Sequence, residues 1–307
     1  MPSPSGEFAF INWLRSRTAT DGRVLLGPGD DAAMLQLTPN APCLITTDML
    51  LEGSCFRLAE AGPRQVGRKA MAVNLSDMAA MAGRPVAAVV AVGLPRTGGR
   101  ALEELYLGLR DVADVFATAI AGGDTNSWDG PLVIAVTLLG EATPRGAVQR
   151  SGARPGDWLF VTGPLGGSIL GRHLSFTPRV REALELHELV DLHAMIDVSD
   201  GLSADVNHLC EESRCGAVLR AEDIPVHDDA RQLHDGLSPL QHALGDGEDF
   251  ELAFAVSPED GQQLLQSQPI RGIRLSHVGE FVEQGLWLEE NGQRRALDPA
   301  GYVHSFQ

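Results

Sequence analysis

Residues 85–94 read PVAAVVAVGL, a continuous apolar run held between Pro85 and Gly93-Leu94. A run this short, rich in valine and bounded by Pro and Gly, reads as a strand buried on both faces. Upstream, residues 63–82 (PRQVGRKAMAVNLSDMAAMA) are rich in helix formers. Downstream, Leu102, Leu105, Leu109, Val112 and Ala113 fall on one face at helical spacing across 100–115. Two further strands bracket these helices, Cys43–Thr47, ending at Asp48, and Leu132–Leu139. A short apolar piece, Ala117–Ala121, stops at Gly122-Gly123. The second half alternates in the same way. Strands are expected at Trp158–Thr162, Ala194–Ile196, Glu251–Val256 and Ile273–Phe281, with helices at 179–191 and 202–214. The polar, Gly/Pro-containing stretch 141–157 between the halves reads as a linker. Alternation in both halves predicts an α/β (α+β) chain of two domains, 1–145 and 146–307.

The 307 residues include 24 Lys+Arg and 41 Asp+Glu, a formal charge of −17. A hydrophobic fraction of 44% supports a real core, and 21% charged residues is too few for a disordered chain. The acidic balance argues against nucleic acid and against anionic membrane surfaces as partners, since both need Lys/Arg clusters. A phosphate substrate would need a cation between it and this chain. The four cysteines, Cys43, Cys55, Cys210 and Cys215, form no CxxC pair, so neither zinc nor a disulfide framework is expected. The start lacks a basic region followed by an apolar one, and no apolar run approaches the ~20 residues of a membrane span. A cytoplasmic protein is expected. Lys69 is the only lysine, and this reads as compositional bias.

Acids recur at the ends of apolar runs. Gly29-Asp30-Asp31 precedes one, Thr46-Thr47-Asp48 closes another, and Gly123-Asp124 follows a third. Asp77 shares a helix face with Ala70, Asn74 and Met81, away from bulk solvent. Asp197-Val-Ser-Asp200-Gly201 follows Met195-Ile196, and Glu248-Asp249 precedes a strand. Taken singly, each is a turn, a helix cap or an ion-pair partner. Gathered together they would repel one another by several kcal/mol. Mg²⁺, which joins a few carboxylates to substrate phosphates, removes that cost. The residues read as a multi-Mg²⁺ nucleotide site, with scattered structural acids as the alternative. No GxxxxGK[ST] loop, HRD–DFG set or GxSxG elbow competes.

These motifs, in this order, resemble the thiamine-monophosphate kinases of the aminoimidazole ribonucleotide synthetase superfamily. The match runs through Gly6-Glu7-Phe8, GDDAA at 29–33, TTDMLLEG at 46–53, KAMAVNLSDMAAM at 69–81, GGDT at 122–125, RSGARPGDWLFVTG at 150–163, IDVSDGL at 196–202, GEDFEL at 247–252 and GY at 301–302. The resemblance implies two α/β domains, with N-terminal sheets pairing across a homodimer and the C-terminal domain completing the cleft. It implies ATP-dependent phosphorylation of thiamine monophosphate to thiamine diphosphate. Asp31, Thr46, Thr47, Asp48, Asp77, Asp124, Asp197 and Asp200 would hold several Mg²⁺ ions on the phosphates of ATP, with Asp30 beside them. Tyr106, Gly123, Asp124, Arg150 and Ser199 would bind ATP. Asp48, Asp124 and Arg150 would carry the transfer. Glu248 and Tyr302 would face the thiamine end.

Two departures fall on the acceptor side. Cys55 stands where the family has a histidine, and a thiol is a poor donor to phosphate. The segment between Gly167 and Pro178 is shortened, so that His173-Leu174 and Pro178-Arg179 arrive early. They motivate an alternative, in which ATP activates a carbonyl or amide oxygen of another acceptor. A second alternative is a non-catalytic ATP- or metal-binding homologue.

Overall fold

The computed structural model describes Trp13, residues 22–28, 31–96 and 98–302, without the side chains of Gly98 and Arg100. Gly6-Glu7-Phe8, Gly29 and Asp30 lie outside the described residues. The chain divides into two compact units. The first takes in residues up to Met78 together with Gly83–Gly146, and the second Ala79–Ala82 with everything from Ala147 onward.

In the first unit, β1 (Val24–Leu26) and β2 (Met34–Leu35) form a small antiparallel pair. A four-stranded sheet is built from β3 (Cys43–Leu51), β4 (Arg84–Pro95), β5 (Ala119–Trp128) and β6 (Val133–Glu141), in the order β3-β6-β4-β5. Only β4 and β5 run parallel. Helices α1 (Leu58–Ala80) and α2 (Leu102–Ala113) belong to the same part of the chain. Residues alternate cleanly along β6: Ile134, Val136 and Leu138 are buried, while Val133, Ala135 and Thr137 are half-buried. One face of the sheet is therefore core and the other is open.

Two expected strand ends are overturned. Beyond Asp48, β3 runs on through Met49-Leu50-Leu51, because Leu50 continues the buried alternation of Thr46 and Asp48. The Ala117–Ala121 piece does not stop at the glycines. It becomes β5, whose ladder with β4 carries Gly122, Gly123 and Asp124 through to Trp128. The expected helix over 63–82 begins earlier, at Leu58, with a kink at Gly62 before Pro63.

Helices α1 and α2 meet where both lack a side chain. A methyl group on Gly67 would fall on the Leu105 carbonyl, and one on Gly108 on the Arg64 carbonyl. At the same crossing Arg64 reaches Asp111 through Nε (2.7 Å) and Nη2 (2.9 Å). Both partners are substantially exposed, so water and salt screen the pair and it adds little to stability. The glycine contact sets the helix spacing.

In the second unit a seven-stranded sheet has the order β13-β12-β9-β11-β7-β10-β8. Its strands are β7 (Trp158–Val161), β8 (Ala194–Asp197), β9 (Gly216–Arg220), β10 (Leu252–Val256), β11 (Ser276–Val282), β12 (Leu286–Glu290) and β13 (Gln293–Ala296). Helices α3 (Arg172–Ser175), α4 (Val180–Leu189), α5 (Leu202–Ser213), α6 (Pro239–Gly245) and α7 (Pro258–Ser267) accompany it. Leu159, Val161, Ile196, Leu202, Val206, Leu219 and Ala253 share one core. No helix among the described residues is long and apolar enough to cross a membrane.

His277 on β11 stacks on Trp158 (ring centroids 4.0 Å, 12° apart) and on Phe160 (5.2 Å). Its Nε2 is buried without a hydrogen-bond partner among the described residues. Burial, aided by the nearby Arg220 guanidinium, pulls the imidazole down to about 4. The unfolded chain titrates near 6.5 and so binds the proton first as the pH falls. The stability tied to neutral His277 is complete above about pH 6.5 and is lost progressively towards pH 4.

Two outcomes are expected. Gly108→Ala forces α1 and α2 apart and lowers stability by about 1–3 kcal/mol, read as an earlier urea midpoint at unchanged slope. His277→Phe keeps the stack but removes the proton, so the fall in melting temperature between pH 6.5 and 5 becomes shallower than in the unsubstituted protein. Parallel pH curves for the two would contradict this account of His277.

Candidate active site

Strand alternation decides which side chains of the first unit meet. Thr46, Asp48 and Leu50 point to the core side of β3, while Ile45, Thr47, Met49 and Leu51 point to the open side. On the core side, Thr46 Oγ1 donates to Asp77 Oδ2 at 2.5 Å. The backbone N–H of Asp48 donates to Asn74 Oδ1 at 3.2 Å. Asn74, fully buried, donates in turn to the Ala70 carbonyl at 3.0 Å. The i, i+3 spacing of Asn74 and Asp77 thus fastens α1 to β3 beside Asp48. Thr47 lies on the other face, its hydroxyl 3.0 Å from both the Val136 carbonyl and Thr137 Oγ1.

Asp124 is exposed in the middle of β5, level with Ala91 on β4. Asp48 pairs with Val136, Val136 with Val90, and Val90 with Gly123, so Asp48 and Gly123 end one row at opposite edges of the sheet. Three strand spacings separate those edges, about 14 Å. A single sheet therefore does not bring Asp48 and Asp124 together. Asp31 is exposed, in a bend before β2. Tyr106 is buried on α2 with its ring edge-on to Trp13, centroids 5.5 Å apart.

Cys55 is half-buried, and its Sγ accepts from the Leu51 N–H at 3.5 Å. Its carbonyl accepts from Lys69 Nζ at 2.8 Å. Lys69 is only 1% exposed. The lone lysine is thus a buried tie on the turn that follows β3, a role that composition does not reveal.

In the second unit the acids gather at the turn between β8 and α5. Asp197 closes β8 and is buried. Asp205, on the first turns of α5, accepts through Oδ2 from the N–H of Asp200 (3.0 Å) and of Gly201 (3.1 Å). Burial, with the charges of Asp197 and Asp200 facing it, pushes Asp205 up to about 8. Donor atoms of Asp200, Asp205 and His208 lie within 4.8 Å of one another. Asp205 and His208 were missed in the sequence. The signal was there, since Asp205 and His208 sit three apart on one helix and Asp200 lies in the turn just before it.

Backbone hydrogen bonds draw the other expected residues to this turn. The Glu248 N–H donates to the Ser199 carbonyl (2.7 Å), and the Tyr302 N–H to the Asp200 carbonyl (3.1 Å). Tyr302 is exposed and Glu248 half-buried. Gly247, Glu248 and Phe250 all adopt left-handed backbone, with φ of 73°, 53° and 52°. A methyl group on Gly247 would sit 2.7 Å from the Ser199 carbonyl oxygen. Arg150 is exposed, and its carbonyl accepts from Ser213 Oγ at 3.2 Å. Two acidic centres thus stand in the chain, one at Thr46/Asp48/Asp77 and one at Asp197/Asp200/Asp205. Both offer oxygen donors, the chemistry that binds hard cations.

Comparison with known proteins agrees with this architecture. The family model for the N-terminal domain of AIR synthase related proteins matches residues 29–142, and that for the C-terminal domain matches residues 154–286. The thiamine-monophosphate kinase of Rhodopirellula baltica is 41% identical over 310 residues, covering 97% of each chain. The crystal structure of thiamine-monophosphate kinase from Stenotrophomonas maltophilia superposes with a TM-score of 0.81 at 32% identity, over 94% of this chain and 97% of that one. The structure of AaThiL complexed with AMPPCP and TMP superposes with a TM-score of 0.76 at 28% identity, over 98% and 97%. With its two AIR synthase related domains and this end-to-end identity, the chain belongs to the thiamine-monophosphate kinase family.

Proposed function

We propose that this protein transfers the terminal phosphoryl group of ATP to thiamine monophosphate, giving thiamine diphosphate and ADP. The observation that carries this reading is the likeness, over nearly the whole chain, to a relative whose structure holds an ATP analogue together with TMP. The oxygen-rich centres of both units are in keeping with it.

The acceptor is a phosphate oxygen, already ionised near neutral pH, so no strong general base is needed. The chain's task is to hold two polyanions in line and offset their charge. Asp31, Thr46, Thr47, Asp48, Asp77, Asp124, Asp197 and Asp200, with Asp30 beside them, are the residues we assign to Mg²⁺, which when bound neutralises the phosphate charge. Asp205 stands beside that set: burial first, and then the charges of Asp197 and Asp200, disfavour its ionised form. Arg150 and Ser199, with Tyr106 and Gly123, serve ATP. Glu248 balances the cationic thiazolium or accepts from the aminopyrimidine, and Tyr302 offers a ring face. Cys55, in the histidine position, is kept on the substrate side, its thiol turned to Leu51. Residues 1–145 supply the nucleotide and dimerisation half and residues 146–307 the remaining donors. A cytoplasmic setting, where ATP is plentiful, goes with this reaction.

The open face of the first sheet supports a homodimer. Ile45 is 69% and Met49 60% exposed, with Leu51 and Val89 beside them, an apolar surface suited to a second copy. The opposite edges held by Asp48 and Asp124 then acquire a meaning. The Asp124 that serves Asp48 comes from the partner subunit.

Incubation with ATP, Mg²⁺ and thiamine monophosphate should yield thiamine diphosphate and ADP in equal amounts, followed by chromatography. No diphosphate, or transfer only to a different acceptor, refutes the assignment. Asp48→Asn and Asp124→Asn should each keep the fold, by circular dichroism, and lower the rate by roughly 10²-fold or more. When the two inactive variants are unfolded, mixed and refolded together, half of the dimers are mixed and each has one intact site. About a quarter of the native activity should return. No recovery would place both aspartates in one chain's site.

A further inference from the structure

The residues around Glu248 carry more order than an acid at a surface turn requires. Glu248 and Phe250 are held in the left-handed region, which side-chain-bearing residues avoid, so the surrounding contacts must impose it. Those contacts come from the segment 166–172. Asp249, 2% exposed, accepts the Gly166 N–H on both carboxylate oxygens, at 3.0 and 2.8 Å. Asp246 accepts the Gly167 N–H at 2.8 Å. Ser168 Oγ donates to the Gly247 carbonyl at 2.9 Å. Arg172 closes the arrangement: its Nη2 donates to Asp249 Oδ1 at 3.0 Å and to the Gly166 carbonyl at 2.8 Å. The same guanidinium lies 3.5 Å from Asp229. Downstream, Phe250 stacks on Phe176, with centroids 4.2 Å apart. Glu248 is thus gripped on both sides, at Gly247 and at Asp249, while its own N–H is fixed on Ser199.

We propose that Arg172 and Asp249 are positioning residues that set the direction of the Glu248 carboxylate, and so the affinity for the cationic organic end of the phosphoryl acceptor. This rests on the reading of Glu248 as an acceptor-side residue. Neither Arg172 nor Asp249 touches the acceptor in this account. A buried pair kept only for stability has no need to hold its half-exposed neighbour in a disfavoured backbone conformation. A pair that aims that neighbour does.

The test is steady-state kinetics with ATP and thiamine monophosphate varied separately. Arg172→Gln should raise KM for thiamine monophosphate roughly tenfold or more and leave KM for ATP within about twofold. Arg172→Lys, which restores a donor, should recover part of the loss. In a Glu248→Gln background, Arg172→Gln should add almost nothing, because it acts through the missing carboxylate. Ser168→Ala, a milder cut of the same grip, should move KM in the same direction by about two- to fivefold and keeps the proposal testable if Arg172→Gln does not fold. Equal rises in both KM values, or an undiminished Arg172 effect in the Glu248→Gln background, would overturn it. If the unsubstituted protein makes no thiamine diphosphate, the functional reading fails first, and the two failures are told apart.

Discussion

Carboxylates that face one another with little water between them must either keep protons or share a cation. Asp205 is subject to that constraint, since burial, with the charges of Asp197 and Asp200, pushes its carboxyl up to about 8. The chain maintains the arrangement all the same, with two backbone N–H groups committed to the Asp205 carboxylate. An acidic chain with a charge of −17 is also a poor receiver for two phosphate esters. On the proposed reading both difficulties have the same solution, because Mg²⁺ ions that bring phosphates in would also relieve the crowded acids. The donors sit on rigid elements: β3 and α1 in one unit, the β8–α5 turn in the other. Within each unit the donors' spacing is thus set by the fold itself, the condition for electrostatic stabilisation without local reorganisation.

The parts of the fold that were legible in the sequence were those where one local signal dominates. PVAAVVAVGL was legible as a strand, and it is β4, although Val89 and Ala91 on its open face are exposed, so it is buried on one face and not on both. The leucine stripe of 102–113 is α2. Strand ends were legible only where a glycine or an acid truly terminates pairing. Asp48 and Asp124 looked like terminators because such residues favour turns, yet ladder pairing with β6 and β4 carries the chain past both. Neighbouring strands, remote in sequence, decided those cases. Helices α3, α6 and α7 and strands β1, β2, β9, β12 and β13 were not anticipated; all but α7 are of seven residues or fewer, too short to show a period.

The candidate site divides in the same way. Spacing put Asn74 and Asp77 on one helix face, the resemblance set Asp77 with Thr46 and Asp48, and the structure joins Thr46 to Asp77 and Asp48 to Asn74 by hydrogen bonds. Thr47 could not be separated from Thr46 without the pleat, which sends its hydroxyl to Val136 on the open face. Lys69 illustrates the opposite limit. A lone lysine in an arginine-rich chain carries no pattern, yet burying it requires a partner, and the Cys55 carbonyl is one. Its ammonium pins the turn that displays Cys55, while the thiol itself folds back on Leu51. The histidine-to-cysteine departure is thus accommodated by the backbone of β3.

That accommodation bears on how the acceptor side tolerates change. The two departures that the family resemblance suggests, at Cys55 and across 167–178, fall on the proposed acceptor side, whereas the acid motifs match that pattern. A carboxylate in a metal site is constrained by the ion's fixed demand for oxygen, and few replacements satisfy it. A contact to an organic cation is constrained only by where the charge points, and several backbones achieve the same direction. The grip on Glu248 shows one such solution. Side chains of Asp246 and Asp249 take the N–H groups of Gly166 and Gly167, so a short loop suffices to fix a strained one. Gly166 and Gly167 are anchored by hydrogen bonds to the buried carboxylate of Asp249 and the half-buried one of Asp246, and this anchoring does not depend on the span of chain that follows them.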